Sequence, residues 1–235
     1  MLEAIILAGG FGTRLKEVVP DLPKPMAPIQ GKPFLAYLLE NLSKKGFKRV
    51  ILSLGYMPEK IIDYFETSFN GIEITYSIEK EPLGTGGATK LALEKCTQDH
   101  VYVINGDTYL DFEVDEIESL WHKNHQSIIV GVNVENTSRY GSLEIDDGRI
   151  ISFKEKAFIK SGPINAGCYV FRRAQLQNFV GKVKFSLESD FLIYEVKKAI
   201  LKVYLSGGLF IDIGIPEDYK RAQLILPDIT DLRSM

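Results

Sequence analysis

Short apolar runs of strand length alternate along the chain with stretches whose apolar residues recur every three or four positions. Residues 4–7, 49–54, 72–78 and 101–104 form the first set, and Ile72, Ile74, Tyr76 and Ile78 alternate strictly with their neighbours. Phe34, Leu35, Leu38, Leu39 and Leu42 fall at helical spacing, and Gly46 supplies a C-terminal stop. Pro58 opens a second helix, with Ile61, Ile62, Phe65 and Phe69 as its buried stripe. A loop over residues 79–87 leads into a third helix that ends near Cys96. Strands alternating with helices of this length predict βαβ units and a mostly parallel sheet.

The pattern changes after about residue 110. Residues 127–134 and 142–153 read as strands, the latter folded about Asp146-Asp147-Gly148. Strands at 166–171 and 203–213 follow, with helices near 173–180, 189–201 and 216–226. The fold class is therefore α/β: a doubly wound, Rossmann-like, mixed but mostly parallel sheet flanked by helices. Residues 1–235 are expected to form one domain. Its half up to about 110 looks nucleotide-binding, and its half from about 111 shares the same sheet. No internal repeat or linker interrupts it, and the absence of hexapeptide repeats excludes a left-handed β-helix extension.

Charge narrows the partners. The chain carries 28 Lys+Arg against 31 Asp+Glu, a formal −3. That balance lacks the basic excess of a nucleic-acid binder, so an anionic ligand must be held by a few placed groups. No signal peptide or membrane span is apparent, which predicts a cytoplasmic protein with no membrane partner. Cys96 and Cys168 read as ordinary reduced thiols. A homo-oligomer is left open.

Leu7-Ala8-Gly9-Gly10-Phe11-Gly12-Thr13-Arg14-Leu15 follows the first strand directly. Glycines here let backbone N–H groups approach an oxyanion. The spacing fits neither the dinucleotide fingerprint nor a Walker A loop. What remains is a phosphate cradle with its own arginine, against the plainer reading of a strand-to-helix turn. Lys24 is bracketed by Pro23 and Pro25, which fix it in a defined extended segment.

These two motifs resemble the signature of the sugar-1-phosphate nucleotidyltransferases. Further matches come in the family's order: Pro82-Leu83-Gly84-Thr85-Gly86-Gly87, Asn105-Gly106-Asp107, Tyr140-Gly141, Phe153-Lys154-Glu155-Lys156, Asn165-Ala166-Gly167 and Phe210 to Tyr219. The resemblance implies attack by a sugar-phosphate oxygen on the α-phosphorus of a nucleoside triphosphate, with pyrophosphate leaving. A phosphate monoester is already an anionic nucleophile, so no general base is needed. Two anions must meet, and charge neutralisation and alignment carry the catalysis.

By that resemblance Arg14 and Lys24 are the catalytic cations. Arg14 faces the leaving pyrophosphate, and Lys24 bridges the α-phosphate and the incoming phosphate. Leu7, Ala8, Gly9, Gly10, Gly12 and Thr13 cradle the triphosphate, while Gly84 and Thr85 stand in the base-reading loop. Asp107 and Asp212 hold Mg²⁺ in an oxygen shell, Asp107 also serving the nucleotide. The second half takes the sugar through Gly141, Glu155, Lys156 and Asn165. Ala157 departs from the proline common in relatives, which loosens the argument for Lys156. Glu79 falls where thymidylyl relatives carry glutamine. A carboxylate there matches the two donors of guanine's edge, although Glu81 could serve instead. The resemblance then implies GTP and a manno-configured heptose 1-phosphate as substrates, giving GDP-heptose, with mannose 1-phosphate the nearest alternative. A glycosyltransferase and a non-catalytic sugar-nucleotide sensor are the competing classes. His122 and His125 find no third metal ligand in the sequence, and the acidic run from Asp111 to Glu118 reads as a solvated helix start.

Overall fold

The computed structural model describes residues 1–10, 12, 15, 19–154, 161–177, 179, 183–198 and 201–232. The first half runs β1 (Leu2–Leu7), a small ribbon of β2 (Pro28–Ile29) and β3 (Lys32–Pro33), α1 (Phe34–Lys44), β4 (Phe47–Leu54), α2 (Pro58–Phe65), β5 (Ser68–Phe69), β6 (Ile72–Ile78), α3 (Gly84–Leu93) and β7 (His100–Asn105). The second runs β8 (Thr108–Leu110), α4 (Val114–Asn124), β9 (Ile128–Val134), β10 (Ser142–Asp146), β11 (Arg149–Lys154), β12 (Gly162–Arg172), α5 (Ile193–Lys197), β13 (Lys202–Ser206), β14 (Phe210–Asp212) and α6 (Pro216–Leu232). No helix among these residues is long and apolar enough to cross a membrane.

One ten-stranded sheet, in the order β10-β11-β13-β9-β12-β7-β1-β4-β6-β5, takes strands from both halves. β7, β1, β4 and β6 are parallel neighbours, as are β9 and β13. β12 enters antiparallel between β7 and β9. Side chains alternate across the pleat, so both faces of β1 are buried. Ala4 and Ile6 pack with residues of α1, α2, α4 and α6, whereas Ile5 meets Ala92 and Leu93 of α3 and the segment around Phe191.

Several elements depart from the sequence pattern for identifiable reasons. Phe69 is not on α2. Glu66 takes φ +49° and ends that helix, and Phe69 then pairs with Ile72 across a hairpin whose turn residues, Asn70 and Gly71, both have positive φ. Asn-Gly is a strong tight-hairpin signal. The expected loop over 79–87 ends early, because α3 begins at Gly84. Residues 173–177 form successive turns instead of a helix, with Gln175 N–H bonded to Arg172 O and Gln177 N–H to Ala174 O. The helix expected over 189–201 is a π-helical turn, Leu187–Leu192, running into the short α5. The single strand expected over 203–213 is broken at Gly207-Gly208, where the Gly208 backbone lies on the Asp111 carbonyl too closely for any Cβ. That break lets β13 join the large sheet while β14 pairs with β8. At the C-terminal end α6 continues through Pro227, well past the expected end near residue 226.

A buried ion pair ties the base of the sheet. The Glu3 side chain is fully buried on β1 and accepts from Arg49 Nη1 on β4. Its other oxygen takes the backbone N–H groups of Thr97 and Gln98 at 2.9 and 3.0 Å. Arg49 also reaches Thr75 on β6 and the Lys95 carbonyl. Removing Glu3 leaves Arg49 with only the more exposed Glu73, at 3.2 Å, as its ion partner and strips the Thr97 and Gln98 N–H groups of their acceptor, so Glu3→Ala should lose about 3–5 kcal/mol of unfolding free energy. Urea melts measure this directly, and a loss below about 1 kcal/mol would contradict a buried pair of this kind.

Candidate active site

The carboxyl ends of β1, β4 and β7 open onto a cavity of about 540 Å³, a size suited to a nucleotide-scale ligand. Leu7, Ala8, Gly9, Gly10 and Gly12 line one side of it. Ala8 N–H is bonded to Ser53 O and Gly106 N–H to Leu7 O, which fixes the loop against its neighbouring strands. Each glycine has a different task. A Cβ on Gly9 would sit 2.7 Å from Glu79 Oε1 and 2.9 Å from the Gly55 nitrogen, whereas one on Gly10 would meet nothing within 4 Å. Gly9 therefore permits packing, and Gly10 leaves the cavity open. Gly12 takes φ +57° and lies against the Lys24 stem.

Lys24 starts a turn of 3₁₀ helix, Lys24–Met26, instead of lying in an extended segment. The Met26 and Ala27 N–H groups close the turn on Pro23 O and Lys24 O, and Pro25 and Met26 are buried beneath it. With its anchor fixed, the Lys24 side chain is only 10% exposed and its Nζ donates to Asp107 Oδ2 at 2.6 Å. Asp107 follows β7 directly. Asp212 reaches the same place through the β8–β14 pairing, which sets it opposite Thr108, and Ile213 N–H closes on Asp107 O at 3.0 Å. Burial and the neighbouring Asp107 charge push the Asp212 carboxyl above its ordinary pKa, and Lys24 pulls against them. Gly214 N–H steadies Asp212 Oδ1 at 2.7 Å.

Two facing carboxylates, one raised by the other, suit a divalent cation. Among the described residues no third His, Cys, Asp or Glu completes a protein-only cage, so the remaining ligands would be phosphate oxygens and water.

Glu79, Gly84 and Thr85 also line the cavity, Glu79 beside Gly9. The Glu79 and Thr85 side chains are turned inward on the protein more than the sequence suggests. Glu79 Oε2 accepts from Leu83 N–H at 2.8 Å while Oε1 lies near Gly9 and Gly55, and burial pushes this carboxyl's pKa up. Thr85 Oγ1 donates to Glu188 and accepts from Leu187 N–H, both at 2.8 Å. Gly84, Gly86 and Gly87 give room for residues 183–185, and Phe185 O takes the Gly86 N–H at 3.0 Å. Glu81, exposed, also borders the cavity.

Gly141 and Asn165 come together, Asn165 N–H bonding Gly141 O at 3.1 Å, but neither is among the residues lining the cavity. The Asn165 amide is used internally, donating to Tyr169 Oη and accepting from Gly167 N–H. Thr13, Arg14, Glu155 and Lys156 lie outside the described residues. Sequence reasoning missed Tyr56 and Asn105 as cavity residues, and missed Glu188 altogether. Asn105 stood inside a quoted motif, whereas Glu188 had no local signal.

A strand-end glycine loop, a buried lysine and the neighbouring Asp107 and Asp212 thus stand together at the carboxyl end of an α/β sheet. The chain belongs to the nucleotidyl transferase family, which it matches over residues 3–227. It is 44% identical over 223 residues to the D-glycero-alpha-D-manno-heptose 1-phosphate guanylyltransferase of Aneurinibacillus thermoaerophilus, covering 94% of this chain and 97% of that protein. It is 46% identical over 220 residues to the enzyme of the same name from Campylobacter jejuni, covering 93% and 97%. The crystal structure of HddC from Yersinia pseudotuberculosis complexed with GMP-PN superposes with a TM-score of 0.84 at 42% identity, covering 95% of this chain and 98% of that one.

Proposed function

We propose that the protein transfers GMP from GTP to D-glycero-α-D-manno-heptose 1-phosphate, releasing pyrophosphate and GDP-heptose. The observation that carries this reading is near-full-length similarity, at 44 and 46% identity, to two enzymes that bear that activity as their name. A phosphate oxygen of the sugar phosphate bonds to the α-phosphorus of GTP as the bond to the pyrophosphate oxygen breaks. The chain's own task is to bring the two anions into line. Gly9, Gly10, Gly12 and Thr13 offer backbone N–H groups to the triphosphate, the Ala8 N–H being held by Ser53 O. Lys24 stands where the α-phosphate and the incoming phosphate meet, and its contact strengthens as charge develops. Arg14 neutralises the departing pyrophosphate.

Asp107 and Asp212 would hold Mg²⁺, which when bound neutralises phosphate charge and fixes the phosphate geometry. Guanine lies toward Glu79, whose carboxylate keeps lone pairs beyond the Leu83 bond for the N1–H and N2–H₂ edge, with Glu81 the alternative acceptor. Glu155, Lys156 and Gly141 serve the sugar, with Asn165 bracing β12, and the substrates suit a cytoplasmic enzyme. The test is a matrix of four nucleoside triphosphates against several sugar 1-phosphates, with pyrophosphate release as readout. GTP with the heptose phosphate should give the highest kcat/KM. A higher value for UTP, CTP or dTTP with every sugar overturns the base assignment, and a faster reaction with mannose 1-phosphate overturns the sugar alone.

A further inference from the structure

Glu188, on the π-helical turn after Phe185, is not among the residues lining the cavity, yet its carboxylate ties two of the cavity's walls. Oε2 accepts from Thr85 Oγ1 at 2.8 Å, and Thr85 stands in the first turn of α3, on one wall. Oε1 accepts from Tyr169 Oη at 3.3 Å on β12. Tyr169 Oη in turn takes the Asn165 amide at 2.9 Å, and Asn165 Oδ1 takes the Gly167 N–H at 3.0 Å. That last bond closes a bulge where the β12–β9 register slips between Asn165 and Cys168. The bulge leaves Gly167 at φ +69° with its α-carbon pressed on the Asn105 side chain, so close that a Cβ would lie 2.5 Å from Nδ2. Asn105 belongs to the other wall and is two residues from Asp107.

We propose that Glu188 is a positioning residue that sets the spacing between the α3 wall and the Asp107 wall before the nucleotide arrives. This role presupposes the nucleotide bound in this cavity, as proposed above. Glu188 accepts from the hydroxyls of Thr85, Ser186 and Tyr169, so its carboxylate acts as a shared acceptor at the centre of the chain of bonds. Tyr169 is fully buried, and its hydroxyl cannot turn to water for a substitute. Glutamine is nearly isosteric, but its amide can satisfy only one arm, since its NH₂ would face a hydroxyl already committed to donating. The walls would then relax independently, and part of the binding energy would go into restoring their spacing.

The experiment measures the Kd of non-hydrolysable GTP, ATP, CTP and UTP analogues, together with kcat, for the wild type, Glu188→Gln, Tyr169→Phe, Thr85→Val and their pairs. The analogue that the wild type binds most tightly is used for the comparison, so a mistaken base assignment shows up separately in the wild-type column. Each single variant should raise Kd about 5- to 10-fold and the pairs should be no worse than the singles, with the kcat of Glu188→Gln and Tyr169→Phe changed less than about threefold. A Glu188→Gln Kd within about twofold of wild type, or paired effects that multiply, overturns the proposal.

Discussion

Lys24→Ala is expected to lower kcat about 100-fold, equivalent to roughly 3 kcal/mol, while the melting temperature stays close to that of the wild type. The two effects separate because of how the side chain is held. Its anchor is the 3₁₀ turn on Pro23, Pro25 and Met26, which alanine leaves intact. The part that is lost is the stem and the Nζ, which touches Asp107 and otherwise faces the cavity. In the ground state that ammonium balances one carboxylate. In the transition state it stands between two phosphates whose charges are converging, and there its contact is strongest. A second readout comes from pH. Lys24 holds the Asp212 carboxyl down against burial and Asp107, so its removal should move the acid limb of the rate profile to higher pH. Undiminished kcat in the variant, measured by pyrophosphate release at saturating substrates, would remove Lys24 from the chemistry.

Asp212→Asn should abolish turnover and, in chelator, melt higher than the wild type. The sign follows from the direction of its shift. Burial and Asp107 raise the Asp212 pKa in the folded protein above its unfolded value near 3.8, so the native state favours the protonated form. Stability is then full below the unfolded pKa, falls as pH rises through the interval up to the folded value, and stays reduced beyond it. At neutral pH the wild type carries that penalty and the asparagine variant does not. Asparagine can keep the oxygen that accepts from Gly214 N–H, so the local turn survives. Mg²⁺ should stabilise the wild type and leave the variant's melting temperature unchanged. Activity of the wild type in excess chelator, or equal stabilisation of both proteins by Mg²⁺, would refute a site built on Asp107 and Asp212.

The legible parts of this chain were those whose determinants are local. β1, β4 and β7 announce themselves because strands covered on both faces must be apolar at nearly every position, and β6 does so through its strict alternation. Lys24 and Asp107 stood out because prolines and glycines around them restrict the backbone over a few residues. What could not be read depends on partners far along the chain. Asp212 opposes Thr108 only because Gly208 lets the strand break over Asp111. Thr85 looked like a ligand for the base, but its hydroxyl is spent on Glu188, 103 positions away. Asn165 looked like a sugar ligand, but its amide is used to close a bulge. Phe69 is different in kind: the Asn70-Gly71 turn was present in the sequence, and the helical spacing of the apolar residues masked it.

The placement of β12 bears on how the protein is made. β7 carries Asp107 at its end, and β12 covers its outer edge, pairing Cys168 with Ile104 and Arg172 with His100. On the ribosome, β7 is therefore complete some 60 residues before its neighbour emerges. Until then the growing chain presents a bare parallel edge, and non-local pairings of this kind are slow to form. A fragment stopped near residue 110 would hold the glycine loop, Lys24 and Asp107 in its sequence, yet it should associate through that open edge before it could hold a nucleotide. Nucleotide capture would thus come late in folding, after the chain's second half has returned to the middle of the sheet.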